Sequence, residues 1–474
     1  MVVRMKKIEN PYVQYMYSYP HKTAYRRLEQ VSIGEYLPNL IGRENSLYFH
    51  IPFCQYKCGF CNLFSVSGQS EITMEAYVNA MEQHASQLNA IMPESVCFED
   101  LTLGGGTPLI LSEKLLRKVF GIANKYFTFS SKEKDIVVET SPNQTTKEKL
   151  QLLKEEGVSR VSIGVQSFLE QELKVLKRFH TVDKAKSALK QIREMDFKCM
   201  NVDLIYGIPG QTMESLQYSL KQALEYSPEE IFIYPLYVKP GTYLYEKGEK
   251  ISAYTTKMYW MIRQILQDEG YEPHSMRRYV RRQKKGNMTR QDSTLQEELK
   301  ASENWKTENH LQLPEKFCGF GNTISIGCGG RSYVGNLHFC TPYTVKQHQC
   351  LENIREYMER EDYLQVLHGF LLSVEEQKRR CVIKHILFGK GINRRDYYKH
   401  FLLDVLEDFP ILAQWEENGY VVMEDEYITL SDLGFSLSDY LGPQLISEEV
   451  RKRTEEYYRH NVGVKIPFDP NIMT

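Results

Sequence analysis

Residues 46–61 read Ser46-Leu-Tyr-Phe-His-Ile-Pro-Phe-Cys54-Gln-Tyr-Lys-Cys58-Gly-Phe-Cys61, an apolar strand-like run that leads into three cysteines spaced four and then three residues apart. Thiolates are the ligands of iron–sulfur clusters, and three on one short loop can hold three irons of a [4Fe–4S] cube while leaving the fourth without a protein ligand. An open iron is a reaction site. The other use of such thiols, a structural zinc site, needs four closed tetrahedral ligands and usually two Cys-x-x-Cys pairs. No second pair is present, and His50 could complete the set only by reaching round from a strand.

The surrounding composition narrows the setting. At 474 residues the chain is long enough for two or three domains and a large core. Lys plus Arg number 59 against 61 Asp plus Glu, a net charge of −2, so no global field favours nucleic acid or an anionic membrane. The first ten residues lack the apolar core of a signal peptide, and no uncharged apolar run is long enough to span a bilayer. Ten cysteines are too sparse for a disulfide scaffold, and a thiolate-held cluster needs a reducing compartment. These features together predict a cytoplasmic protein.

From Ser46 to Tyr237 the pattern alternates strand and helix six times. Strand-like runs at 46–51, 98–103, 135–140, 159–165, 198–205 and 230–237 are rich in Val, Ile, Leu, Phe and Tyr. Helix starts are marked by Ser112, Thr146, Thr181 and Thr212, and one stop by Gly157. Alternating β and α elements predict a parallel sheet, whose functional residues collect at the carboxyl ends of the strands. The unusual residues fall there: the cysteine loop after the first strand, Gly104-Gly-Gly-Thr-Pro108 after the second, Glu139 at the end of the third, Gly164-Val-Gln166 after the fourth and Asp203 in the fifth. Three successive glycines let a ligand approach the backbone closely, although a tight turn alone would also use them. Glu139 would be costly to bury without a cation or a donor.

The cysteine spacing and the preceding Tyr48-Phe-His-Ile-Pro-Phe resemble the radical S-adenosylmethionine (SAM) superfamily, in the branch of oxygen-independent coproporphyrinogen III oxidase and the related haem chaperone. The resemblance implies an α/β fold, a partial (βα)6 radical SAM barrel with a C-terminal mainly helical domain. It implies a [4Fe–4S] cluster on Cys54, Cys58 and Cys61, and SAM bound by Tyr48, Phe60, Gly105, Gly106, Thr107, Glu139, Gln166, Arg178 and Asp203. Val238 matches only a loosely defined contact. In such enzymes an electron enters the cluster and SAM is cleaved to methionine and a 5′-deoxyadenosyl radical, which takes hydrogen from the substrate. An electron donor such as flavodoxin or ferredoxin follows from that chemistry, and the substrate is a small molecule, a tetrapyrrole in the named branch.

The flanks extend the resemblance. Residues 1–45 carry Asn10-Pro-Tyr-Val-Gln-Tyr-Met-Tyr-Ser-Tyr-Pro-His-Lys-Thr-Ala-Tyr25, five tyrosines in a Pro-punctuated stretch. It looks like the arm that coproporphyrinogen oxidases lay against their active site, with Tyr17, Tyr19, His21, Lys22 and Arg26 as candidate substrate contacts; an aromatic strap packed on the next domain is the alternative. Residues 46–345 form the core and its extension, in which Ser325-Ile-Gly-Cys-Gly-Gly-Arg331 places Arg331 on a glycine-rich loop facing the presumed site. Tyr19 and Arg331 are the catalytic candidates. The basic run Arg277, Arg278, Arg281, Arg282, Lys284 and Lys285 reads either as a clamp for carboxylates or as a solvated face. Cys318, Cys328, Cys340 and Cys350 are too widely spaced for a typical metal site and read as buried thiols. Residues 286–316 turn polar and read as a flexible insertion. Residues 346–474 look like the helical cap of the oxidase family; a winged-helix DNA binder has a similar outline but needs a more basic recognition element.

One departure bears on substrate. The oxidases carry a fourth cysteine two residues after the third, where this chain has Cys61-Asn62-Leu63. The haem chaperones also lack it, but usually lack the tyrosine-rich arm. Three outcomes stay open: a tetrapyrrole-modifying oxidoreductase, a haem-binding transfer protein, and a radical SAM methyltransferase.

Overall fold

In a computed structural model of the chain, which describes residues 8, 11–131, 134–282, 321–461 and 463, the dominant element is one mixed sheet of thirteen strands. Its centre is parallel. The strands Asn45–Ile51, Asp100–Gly105, Asp135–Thr140, Arg160–Gln166, Cys199–Tyr206 and Glu230–Pro235 lie side by side in chain order, each hydrogen-bonded to the next. They are the six strands read from the sequence, with bounds shifted by at most two residues.

The helices between them begin where short hydroxyl side chains can cap them. Ser112, Thr146, Thr181 and Thr212 each accept from a backbone N–H two or three residues inside the helix that follows. Thr212 and Ser215 complete a reciprocal capping box. Apolar faces of these helices cover one side of the sheet, so Leu47, Phe49 and Ile51 are fully buried against them. Strand periodicity then sends the alternate residues, Tyr48 and His50, Glu139, Asn201 and Asp203, to the opposite face.

The sheet does not stop at the six strands. Asn322–Ile326 pairs in parallel with Asn45–Ile51 and makes a seventh parallel strand. Beyond it run the antiparallel strands Arg331–Val334, Leu337–Cys340, His368–Leu371 and finally Arg26–Arg27. On the other flank Arg278–Arg281 and Tyr271–Pro273 add two more. Main-sheet pairing therefore reaches both sides of the 46–345 span, into the arm and past residue 345. The strand order is linear, so the sheet is an open, partial barrel.

The C-terminal region has its own core. Helices Val374–Ile386, Arg394–Phe401, Ile411–Glu417 and Glu448–Asn461 surround a three-stranded antiparallel sheet of Ile392–Asn393, Tyr427–Leu430 and Val421–Met423. Met16, Tyr19, Ala24 and Tyr25 from the arm are part of that core, among Cys381, Ile386, Leu412 and Trp415. Tyr12 instead joins the main core, its ring edge-on to Tyr206 at 6.4 Å. The arm thus straps the two bodies together. Among the described residues no helix is long and apolar enough to cross a membrane. The insertion at 286–316, with Lys284, Lys285 and Cys318, lies outside the described residues.

Candidate functional site

The site is built at the carboxyl ends of the parallel strands. The chain leaves Asn45–Ile51 at Pro52 and enters the cysteine loop, which is tied down at both ends. Gly59 N–H donates to the Leu176 carbonyl at 2.8 Å, and Lys57 Nζ donates to the carbonyls of Ser65 and Val345 at 3.0 and 2.8 Å. The Cys61 N–H donates to the Cys58 carbonyl at 3.2 Å, turning the loop so that the three thiols face one region. Burial pushes the Cys54 thiol up to about 12, with Cys61 and Cys58 adding to the shift and the Thr107 hydroxyl opposing it. Burial likewise raises Cys61, with Cys58 next to it. Thiols in this state ionise when a cation takes the proton's place.

The glycine turn presses against that loop. The N–H groups of Gly106 and Thr107 donate to the carbonyls of Ile51 and Phe53, both at 2.8 Å. A Cβ on Gly106 would lie 2.5 Å from the Phe53 carbonyl oxygen and 3.0 Å from Cys54 Sγ, so only glycine fits between strand and loop. Gly105 has φ +114°, and a Cβ there would meet the His50 ring at 2.6 Å. His50 is held neutral, pushed down to about 4 by burial, with its Nε2 3.2 Å from the Phe64 carbonyl oxygen. The Thr107 hydroxyl donates to Cys54 Sγ at 3.7 Å.

Charged groups complete the mouth. Glu139 accepts from the Gly105 N–H at 3.1 Å; burial raises its pKa, and that hydrogen bond holds the rise back. Arg178 donates through Nη1 to Cys58 Sγ at 3.3 Å and through Nη2 to the Gly164 carbonyl. Gln166 has φ +75° at an irregularity in the pairing of its strand with the next, which turns its amide back over Gly164. Burial raises Asp203 to about 7, opposed by an Asn201 amide donor at 2.7 Å and reinforced by the charge of Glu139. Tyr48 meets Glu139 over Gly104 and is pushed up by burial, with the charge of Glu139 adding to the shift and that of Arg331 opposing it. Phe60 packs with Val238 on Leu176, Ile205, Ile208, Leu236 and Leu244. Tyr48, Gly105, Gly106, Thr107, Glu139, Gln166, Arg178 and Asp203 are therefore gathered with the cysteines, and Phe60 lines the same loop.

The substrate-side candidates are placed differently. Arg331 lies at the arm, donating to Ser18 Oγ with its guanidinium 4.6 Å from the Tyr17 ring centre. Tyr19 is 1% exposed; its hydroxyl donates to Glu376 and accepts from the Ser447 N–H, so it anchors the arm in the C-terminal core. Arg26 points to Glu456 at 3.2 Å. The basic run disperses into ion pairs: Arg277 to Asp439, Arg278 to Glu230, Arg281 to Glu229 and Arg282 to Glu272. Each of these four arginines thus meets its own carboxylate, Arg277 and Arg278 in the interior, Arg281 half-buried and Arg282 at the surface. Cys328, Cys340 and Cys350 are buried thiols.

Sequence reasoning passes over two residues here. Asn201 was findable, since it precedes Asp203 by two in a strand and so shares its face. Tyr77, on the helix Glu71–Ile91, donates to the His50 carbonyl at 2.8 Å and accepts from the Cys328 N–H at 2.7 Å. No local pattern marks it.

Among the described residues no group of three or more His, Cys, Asp or Glu is set to hold a single metal ion. A cube asks for a different arrangement, three thiolates each meeting its own iron. The single cysteine loop, its clustered thiols, the side-chain-free glycine turn against Cys54 and the guanidinium on Cys58 fit that demand.

The radical SAM superfamily profile matches residues 48–223. The chain is 31% identical over 414 residues, 85% of its length, to the Bacillus subtilis (strain 168) protein named Heme chaperone HemW, of which it covers 99%. It is 24% identical over 443 residues to the oxygen-independent coproporphyrinogen III oxidase of Escherichia coli (strain K12), spanning 89% of this chain and 91% of that one. The solved coproporphyrinogen III oxidase HemN of Escherichia coli shares the fold with a TM-score of 0.74 at 20% identity, over 94% of this chain and 97% of that one. The chain belongs to the radical SAM superfamily, in the family that contains HemW and the oxygen-independent coproporphyrinogen III oxidases. Its members work with a [4Fe–4S] cluster and SAM.

Proposed function

We propose that this chain is a radical SAM oxidoreductase acting on a tetrapyrrole or similar substrate in the cytoplasm, reduced by a flavodoxin- or ferredoxin-type donor. The observation that carries it is the convergence of Gly105, Glu139, Arg178 and Asp203 on the cysteine loop. When bound, the cluster and SAM supply a carbon radical that abstracts hydrogen from a substrate C–H bond.

The chain's own part is holding and shielding. Cys54, Cys58 and Cys61 would ligate three irons. Glu139 and Asp203 offer acceptors for the ammonium and hydroxyl groups of SAM, Gln166 an amide, and Arg178 a cation for its carboxylate. Gly105, Gly106 and Thr107 let the ligand lie against backbone, with Tyr48 and Phe60 as aromatic walls. Arg331 would face the substrate, and Tyr19 is a positioning residue that anchors the arm in the C-terminal core.

The test is anaerobic: the reconstituted full chain with SAM, dithionite and coproporphyrinogen III should yield 5′-deoxyadenosine and a vinyl product. A second reading, haem transfer, is favoured by Asn62 and Leu63 after Cys61 and by the identity to HemW. If no vinyl product forms, the oxidase reading fails, and a Soret titration with haem tests transfer. Formation of S-adenosylhomocysteine would point to methyl transfer instead.

A further inference from the structure

Lys22 sits on a single 3-10 turn of the arm, Lys22–Ala24, and is 8% exposed. Its ammonium has three donors, yet among the described residues it makes no hydrogen bond and no ion pair. Its one partner is the face of Tyr343, with Nζ 4.2 Å from the ring centre. Arg331 is in the same condition electrostatically: among the described residues its guanidinium meets the Ser18 hydroxyl and the rings of Tyr17 and Tyr333, and no carboxylate. The two cations are linked through one run of rings, Arg331 on Tyr17, Tyr17 against His21, His21 against Tyr343 and Lys22 on Tyr343. Arg331 is the foremost charge acting on Lys22, and burial together with that charge pushes the ammonium down to about 8. His21, the residue before Lys22 and edge-on to the rings of Tyr17 and Tyr343, is depressed by burial, Arg331, Lys22 and Lys239 in turn. Elsewhere the fold pairs its buried arginines with carboxylates, as in Arg278 with Glu230 and Arg277 with Asp439. Here the described residues collect positive charge without the counter-charge that burial demands.

The location says which side the missing anion comes from. The Tyr343 hydroxyl donates to the Asn62 carbonyl at 3.0 Å, one residue past Cys61, so Lys22 is held directly at the exit of the cysteine loop. Arg331 acts on Tyr48, which borders Glu139. The pair therefore lies where the arm meets the cysteine-loop side of the sheet, walled by Tyr17 and Tyr343, whose flat faces suit a flat ring.

We infer that Lys22 and Arg331 form a receptor for a carboxylate on the substrate macrocycle, so that this site selects tetrapyrroles by their acidic side chains and orients them toward the cysteine loop. The inference rests on the proposed tetrapyrrole reading.

The probes are coproporphyrin III and its tetramethyl ester, which keep the same ring with the carboxylates free or masked. Binding to the full chain is read by quenching of porphyrin fluorescence. The free acid should bind about tenfold tighter than the ester or more, as expected for charge-assisted hydrogen bonds. Lys22→Met and Arg331→Met should each lose about tenfold for the acid and leave the ester's affinity in place, while Lys22→Arg restores the preference for the acid. Circular dichroism checks each variant's fold, and Arg331→Met carries the comparison if Lys22→Met does not fold. No binding to the wild-type chain, equal affinity for acid and ester, or variants that keep the preference would each overturn the receptor. Release of 5′-deoxyadenosine by the wild-type chain, measured without porphyrin, separates the two claims: its presence with no acid preference sinks only the receptor, and its absence with a Lys22-dependent acid preference sinks only the radical reading.

Discussion

The Gly105 N–H donates to the Glu139 carboxylate at 3.1 Å, joining the turn after the second parallel strand to the end of the third. That bond requires Gly105 at φ +114° with the His50 ring where a Cβ would be. Gly105→Ala should therefore destabilise the fold by about 2–4 kcal/mol, combining backbone strain with overpacking. Gly121, exposed on the helix Glu113–Tyr126 with nothing within 4 Å of where a methyl would stand, is the contrast: Gly121→Ala should stabilise by about 1 kcal/mol. Chemical denaturation of both variants gives the comparison, and equal effects would contradict the geometry.

Arg277 and Asp439 are 5% and 1% exposed on their side chains and join the sheet to the C-terminal body, with Tyr237 donating to the same carboxylate. Asp439→Ala leaves the guanidinium buried without its counter-charge and should cost about 3–5 kcal/mol. Arg277→Met combined with Asp439→Leu should recover most of that loss. A double variant as unstable as the single one would show that the contact matters through packing instead of charge.

Asp203 has a folded pKa of about 7 against 3.8 for an ordinary aspartate, because burial disfavours its charge. The folded state then holds a proton that the unfolded state releases, so this group's contribution is fully present below pH 3.8 and is lost as pH rises to about 7. Melting temperature followed across that window should fall with rising pH more steeply in the wild-type chain than in Asp203→Asn. Identical slopes would remove Asp203 as the cause.

The barrel was legible in the sequence because its signals are local. Each of the six strands read from the sequence is a short apolar run, four of the helices between them open on Ser112, Thr146, Thr181 and Thr212, and the residues that gather at the mouth are those that break the strand pattern. The rest depended on pairings far apart in the chain. Nothing near Arg26 announces its strand partner at Gly369, and nothing near Arg277 announces Asp439. The basic run looked like one surface because its members are adjacent, but a strand sends neighbours to opposite faces, where different carboxylates meet them. Tyr19 read as a substrate contact from its tyrosine-rich surroundings, whereas its hydroxyl is spent on Glu376.

The central claim is that Cys54, Cys58 and Cys61 hold a cluster that cleaves SAM. The most direct measurement is 5′-deoxyadenosine released under anaerobic conditions with SAM and dithionite, by wild-type chain and by Cys58→Ala, each reconstituted with iron and sulfide. The wild-type chain should release it, and the variant, folded by circular dichroism, should have lost its cluster iron and sulfide and release none. A Cys58→Ala chain that retains iron, sulfide and SAM cleavage would contradict the account.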